Sequence, residues 1–395
     1  MKKITIQLIY RSYKPLHKIH QSLIENPPAE VSFVVPKTQQ RFSKLFPLYR
    51  KVRYYKLGRV LIAWFEKLFF AQKTTETKQH IDLYQYINMS DPKPPAKPYI
   101  VDIEHAGSLM SFSYDKERLK EVKRFLVNDN CKAITCMSQA AKQSLQRLLD
   151  DEFTSVEGKV HVIYPAQELA EKKQFPPDSS VPKIDDNDKR LKLLFVGNQA
   201  ALKGLEETLK ALDQLNDKYG DSAAVLYVIS ADADEIISDY NLPNVELLEP
   251  KFSKPQMFGN FYLPADIFVL PTKQDTFGMA FLDALSAGTP VISTDQFAIP
   301  EIVTHGKDGY LAHIDDPMLG RSVVPTKEDT LSVTQRNLDD KLAVSVYDAL
   351  ADVLEGRTDL NKYAAQAKKK FSAQGRFSIQ TRNQQLRALY DNILK

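Results

Sequence analysis

Asp275 and Asp283 stand eight residues apart in Pro271-Thr-Lys-Gln-Asp-Thr-Phe-Gly-Met-Ala-Phe-Leu-Asp-Ala-Leu-Ser-Ala-Gly-Thr-Pro290, which follows a short apolar strand and runs into a helix ended by glycine. One carboxylate in the loop and another about two turns into the helix project toward one crevice. Thr276, Phe277, Gly278 and Met279 leave backbone N–H groups open at the helix start, and such groups attract phosphate. Carboxylates accept charge-assisted hydrogen bonds from sugar hydroxyls, so one site can hold both ends of a phosphorylated sugar. A capped amphipathic helix with solvated acids would show the same spacing.

A cation stands where such a ligand needs one. Gly197-Asn198 ends the apolar run Leu191 to Gly197, and Lys203-Gly204 opens the next helix. This places an ammonium where the carboxyl edge of a sheet meets a helix start, the usual ligand position of open α/β sheets. Alone, Lys203 reads as a surface lysine; the downstream acids tip the reading toward a ligand contact. In the first half, His105 follows the apolar strand Tyr99 to Ile103, with Glu104 beside it, and Ser138 stands where a helix N-cap is expected. Asp232-Ala-Asp234 imitates a metal-binding Asp-x-Asp pair, but it sits between a strand and a helix, so helix capping is expected and no catalytic metal.

Two alternations of strand and helix position these residues. The first places strands at Ile4 to Tyr10, Val31 to Val35, Ile81 to Ile87, Tyr99 to Ile103, Ala133 to Cys136 and Lys159 to Pro165, with helices near 14–25, 57–73, 115–128 and 138–150. The second places strands at Leu191 to Gly197, Ala224 to Ser230, Val245 to Leu248, Ile267 to Leu270, Val291 to Thr294 and Tyr310 to Ala312, with helices near 204–219, 255–263, 277–287, 298–304 and 339–355. Such alternation implies parallel sheets covered by helices. Gln167 to Arg190 holds Pro176, Pro177 and Pro182 among Asp, Ser and Lys, and reads as a linker, 167–190, between domains 1–166 and 191–376. The last stretch, 377–395, is helical by apolar spacing.

A chain of 395 residues suits two domains, and a net charge of +3 is too small to imply nucleic acid. Its two cysteines, Cys131 and Cys136, lie in an apolar stretch without a His cluster and read as reduced core residues of a cytoplasmic protein. The N-terminal apolar run is too short for a signal segment, and Val60 to Phe65 is far below the ~20 residues that cross a bilayer. Residues 41–73 carry nine basic residues against Glu66 alone, interleaved with aromatics. That composition suits either the surface of an anionic membrane or a core helix with basic neighbours.

The segment 271–290 resembles the retaining glycosyltransferases of family four, whose signature is Glu, seven residues, Glu, with Phe-Gly after the first acid and Gly-Thr-Pro-Val-Ile after the second. Here Asp replaces both acids, each one methylene shorter. The resemblance implies the GT-B architecture: two Rossmann-like domains facing each other across a cleft, with the C-terminal helix 377–395 joining the N-terminal domain. It implies a nucleoside diphosphate sugar donor, an acceptor hydroxyl on a glycan or lipid-linked substrate, and no cofactor. Asp275 and His105 would hold the sugar, Asp283 the ribose, and Lys203 with the amides around Gly278 the diphosphate. The family has Arg where Asn198 stands. The resemblance is strong over 191–315, moderate over 99–166 and almost absent before 99. Two alternatives stay open: a catalytically silent relative that binds a partner or membrane, and a nucleotide-sugar epimerase of the same architecture.

Overall fold

The computed structural model describes residues 2–10, 16, 18–35, 80–110, 116–315 and 338–395. They divide into two compact units, one from Met1–Pro165 and Gln380–Lys395, the other from Ala166–Arg321 and Leu331–Ile379. Residues 41–73, with the helix expected at 57–73, lie outside the described residues.

The first unit is a parallel sheet in the order β2-β1-β3-β4-β5-β6, formed by β1 (Ile4–Ile9), β2 (Val31–Val34), β3 (Leu83–Ile87), β4 (Tyr99–Ile103), β5 (Cys131–Cys136) and β6 (Val160–Val162). Every residue of β3 and β4 is buried, as expected of strands covered on both faces. Helices α1 (Lys18–Glu25), α2 (Lys116–Val127) and α3 (Gln139–Leu149) belong to this unit. On one face Tyr86, Tyr99 and Phe125 pack ring to ring, with centroids 4.7 to 5.5 Å apart. On the other, buried Asp102 accepts hydrogen bonds from Gln85 Nε2 (2.6 Å) and the Thr135 hydroxyl and pairs with His20 Nε2 at 3.1 Å, while the Tyr390 hydroxyl donates to Gln85 Oε1 at 3.0 Å. Tyr390 lies on the C-terminal helix, Ile379–Ile393, whose Arg382 and Arg387 donate to Asn26 O (2.6 Å) and Ala29 O (2.8 Å).

The second unit is also a six-stranded parallel sheet, in the order β12-β11-β10-β7-β8-β9. Its strands are β7 (Leu191–Val196), β8 (Ala224–Ile229), β9 (Val245–Leu248), β10 (Ile267–Val269), β11 (Val291–Thr294) and β12 (Gly309–Ala312). Helices α4 (Leu205–Tyr219), α5 (Asp234–Tyr240), α6 (Met279–Ala287), α7 (Asp340–Leu354) and α8 (Leu360–Lys369) complete it. The strand order reverses at β7, which pairs with β8 on one side and β10 on the other. The connections leaving β7 and β10 therefore diverge and open a crevice at the carboxyl edge.

Residues 167–190, expected as a linker, lie along the second unit. Buried Asn260 receives the Asp178 N–H on its Oδ1 at 2.8 Å and donates to Asp178 O (2.8 Å) and Pro182 O (3.1 Å). Phe175 stacks on Phe258 at 4.9 Å. The helix expected at 255–263 is a four-residue α-turn, Lys254–Met257, continued by a π-helical turn, Phe258–Tyr262.

Candidate functional site

Lys203 and Asp275 leave β7 and β10, the two strands flanking the reversal, and they meet. Lys203 Nζ lies 2.6 Å from Asp275 Oδ2 and donates to Gln274 O at 2.9 Å, with both charged side chains 17% exposed. Local backbone chemistry makes the approach close. Gly204 caps α4 with φ +82°, and a Cβ there would lie 2.2 Å from Pro271 O, so only glycine lets the helix start abut the loop. The loop is pinned from below as well. Thr272 Oγ1 accepts the Gln274 N–H at 3.2 Å, and Thr272 O accepts the Thr294 hydroxyl at 2.7 Å. Gln296 Nε2 donates to Asp275 O at 3.2 Å from an otherwise buried side chain, whose Oε1 has no partner.

After Asp275, Thr276 is half-buried and Phe277 fully buried, and Gly278 caps α6 with φ +82°. Met279 opens that helix and Asp283 is its fifth residue, 8% exposed. Gly288 ends the helix in a left-handed conformation, and the Thr289 hydroxyl donates to Tyr262 O at 2.5 Å, so Gly-Thr-Pro locks the helix end onto the neighbouring π-turn.

Asn198 is exposed, and its Oδ1 accepts the Ala231 N–H at 3.2 Å, which ties two loops together. Asp232 does not cap α5, whose N-cap Ala233 makes no side-chain bond. Its carboxylate instead accepts the N–H groups of Gln199 (2.8 Å) and Ala200 (3.3 Å) and the Ser230 hydroxyl (2.9 Å). Asp232 thus ties down the loop after β7 instead of the helix start. Among the described residues no group of three or more His, Cys, Asp or Glu stands close enough to hold a metal, and no helix is long and apolar enough to cross a membrane.

His105 belongs to the first unit, just past β4. Its Nδ1 accepts the Gly107 N–H at 3.1 Å, which assigns the proton to Nε2. Burial, and then the charge of Arg147, lowers its pKa to about 4, so the ring is neutral at pH 7. Glu104 accepts from Asn88 Nδ2 at 3.3 Å, and Ser138 caps α3 by accepting the Ala141 N–H at 2.9 Å. Cys131 and Cys136 are free and buried, and burial pushes both thiols up to about 12.

Residues missed by sequence reasoning complete the loop's support. Glu207 on α4 is fully buried, receives Lys273 Nζ at 2.6 Å and accepts the Asp339 N–H at 2.8 Å. The signal available was an acid one turn after Lys203 and a lysine two residues before Asp275.

Residues 190–320 match the family model described as Glycosyl transferases group 1. Over these residues the second unit is similar to the group 1 glycosyl transferases. An uncharacterized glycosyltransferase of Methanocaldococcus jannaschii is 25% identical over 237 residues, 56% of this chain and 57% of that protein. A D-inositol 3-phosphate glycosyltransferase of Arthrobacter is 28% identical over 126 residues, 30% of each chain. The matches therefore span less than two thirds of these relatives. Among solved structures, Anabaena HepE in complex with UDP aligns with TM-score 0.60 at 15% identity, covering 98% of this chain and 100% of its own. Sucrose-phosphate synthase of Thermosynechococcus elongatus aligns with TM-score 0.62 at 14% identity and 99% of both chains. With two six-stranded parallel sheets and these neighbours, the fold is GT-B, and Lys203, Asp275 and Asp283 all fall inside the segment that matches the family model.

Proposed function

We propose that this protein is a retaining glycosyltransferase that moves a sugar from a nucleoside diphosphate sugar to an acceptor hydroxyl, without a metal, in glycan or glycolipid assembly. The observation that carries the proposal is the Lys203–Asp275 pair at the strand-order reversal within the segment similar to the group 1 glycosyl transferases. A diphosphate entering the crevice exchanges for Asp275 as the partner of Lys203, and the ammonium then opposes the charge that grows on the leaving group. Asp275, released, accepts hydrogen bonds from sugar hydroxyls. The opening amides of α6 take a phosphate oxygen, and Asp283 takes the ribose. In the retaining mechanism of the resembled family, the donor's own phosphate oxygen takes the acceptor proton on the face from which the diphosphate departs. The neighbour HepE, solved with UDP and with UDP and glucose, supports a nucleotide-sugar donor.

A panel of UDP-, GDP-, ADP- and CMP-sugars, read by donor hydrolysis and by the shift in melting temperature, tests the reading. One donor consumed or stabilising is expected; silence across the panel favours a non-catalytic scaffold, which the exposed amide of Asn198 in place of a cation also suits. Conversion of the sugar without an acceptor would instead indicate an epimerase. For residues 41–73 we propose contact with an anionic membrane on the cytoplasmic side. Charge reversal at Arg50, Lys51 and Arg53 should then reduce co-sedimentation with anionic liposomes, and unchanged binding removes the membrane contact.

A further inference from the structure

The first unit holds a cavity of about 40 Å³ between α1, the C-terminal helix and the carboxyl ends of β4 and β5. One water needs about 10–15 Å³ of such space, so about three water-sized groups fit. Asp102 and Thr135, the penultimate residues of β4 and β5, line it, and open parallel sheets take ligands at that edge. Leu23, Met137, Ile163 and Leu386 give it an apolar wall. Ile163 and its neighbour Tyr164 are only half-buried and mark the side nearest to water.

Two side chains of the lining keep unused hydrogen-bonding capacity. Asp102 spends its carboxylate inside the protein, on Gln85 Nε2, the Thr135 hydroxyl and His20 Nε2. With Nε2 as the donor, a neutral His20 ring offers Nδ1 as an acceptor. That nitrogen is buried and has no hydrogen-bond partner among the described residues, on a residue only 1% exposed. A buried acceptor left so is costly until something donates to it. Arg382, 5% exposed, directs four bonds to the Ser22 hydroxyl, Asn26 O and Asn383 Oδ1, which leaves one of its five N–H groups.

One acceptor and one donor beside an apolar wall suit a group that both donates and accepts and is carried on carbon. Asp102 and Arg382 offset each other in charge, so an anion meets the carboxylate and a cation the guanidinium, and a neutral group is favoured. We infer that this cavity binds the terminal hydroxymethyl group of a neutral polyol or sugar, its hydroxyl donating to His20 Nδ1. The hydroxymethyl oxygen and carbon with the carbon that bears them make three non-hydrogen atoms, which matches the volume. The rest of the ligand lies toward Ile163 and Tyr164. This site needs no nucleotide and stands apart from the glycosyl transfer reading above.

The experiment is saturation-transfer NMR on the full chain without nucleotide. Its probes are glycerol, methyl glucoside, and methyl xyloside, which is methyl glucoside without the hydroxymethyl group. A saturable signal is expected: from glycerol alone it names a free polyol, from methyl glucoside alone a sugar, and from both the hydroxymethyl group whatever bears it. Methyl xyloside should give a signal at least threefold weaker than methyl glucoside. His20→Phe keeps a ring but removes Nδ1, and should reduce the signal of the bound probe at least threefold. No saturable signal from glycerol or methyl glucoside would leave the cavity to water and overturn the inference. So would a methyl xyloside signal as strong as that of methyl glucoside, or an unchanged signal in His20→Phe. Should His20→Phe not fold, Ile163→Trp carries the test by filling the half-buried side of the cavity, and a signal retained there overturns the inference.

Discussion

Lys203→Met separates catalysis from stability most sharply. The substitution removes the ammonium 2.6 Å from Asp275 and the donor 2.9 Å from Gln274 O while keeping most of the apolar stem against Gly197, where a Cβ would meet Lys203 Cγ at 3.3 Å. Exposed pairs contribute about 0–1 kcal/mol and breaking a fully buried one costs about 3–5, so a partly exposed pair whose surviving acid still reaches water should cost about 1–2 kcal/mol. For a unit of this size that lowers the melting temperature by about 2 to 8 °C. At 25 °C the protein remains folded, since domain stabilities are about 5–15 kcal/mol. A single preorganised charge-stabilising group at a reacting centre carries about 10²–10³ in rate. Initial rates of sugar transfer at 25 °C, with thermal unfolding in parallel, should therefore show a loss of about 10²–10³ beside a drop of only a few degrees. A variant that melts lower but keeps more than a tenth of the rate would refute the assignment of Lys203 to the leaving group.

Other substitutions follow from the same geometry. Gly204→Ala forces a left-handed residue and a Cβ 2.2 Å from Pro271 O, so thermal unfolding should show a loss of at least about 2 kcal/mol and the rate should fall as the 271–275 loop is displaced. His105 is neutral in the folded chain down to about pH 4 whereas the unfolded chain takes up its proton near 6.5; stability should hold above about pH 6.5 and fall between there and pH 4. Urea midpoints across pH 4 to 7 should show a shallower slope for His105→Gln, and an unchanged slope would contradict the burial of a neutral ring. Arg382→Met removes donors to the Ser22 hydroxyl and Asn26 O, so chemical unfolding should show a loss of about 2–3 kcal/mol, with nucleotide binding at the second unit unchanged.

The sheets were legible because their strands are short apolar runs in regular alternation with helices. Asp275, Asp283 and Lys203 were legible as separate motifs, since each falls beside a strand end or helix start whose ligand chemistry is general. The meeting of Lys203 with Asp275 depends on β10 lying next to β7, across 72 residues of sequence, and strand order is not written in local pattern. Glu207 was missed because an acid in the first turn of a helix reads as a partner of the helix dipole facing water, whereas here it is fully buried. Asp232 was misread for a related reason, as its bonds reach back 33 residues to Gln199. Residues 167–190 have the composition of a linker, yet their backbone finds partners in Asn260, a polar residue within an apolar stretch. Helix α8 was overlooked because Ala367 is its only buried side chain; its signal is Asp359, which accepts the Lys362 N–H at 3.1 Å.

The most direct test is calorimetric titration of UDP, GDP and ADP into the wild type and Lys203→Met. The account predicts saturable binding of one nucleoside diphosphate by the wild type, weakened at least tenfold by the substitution. Equal affinity in both, or no binding of any of the three, would contradict the placement of the donor diphosphate at Lys203.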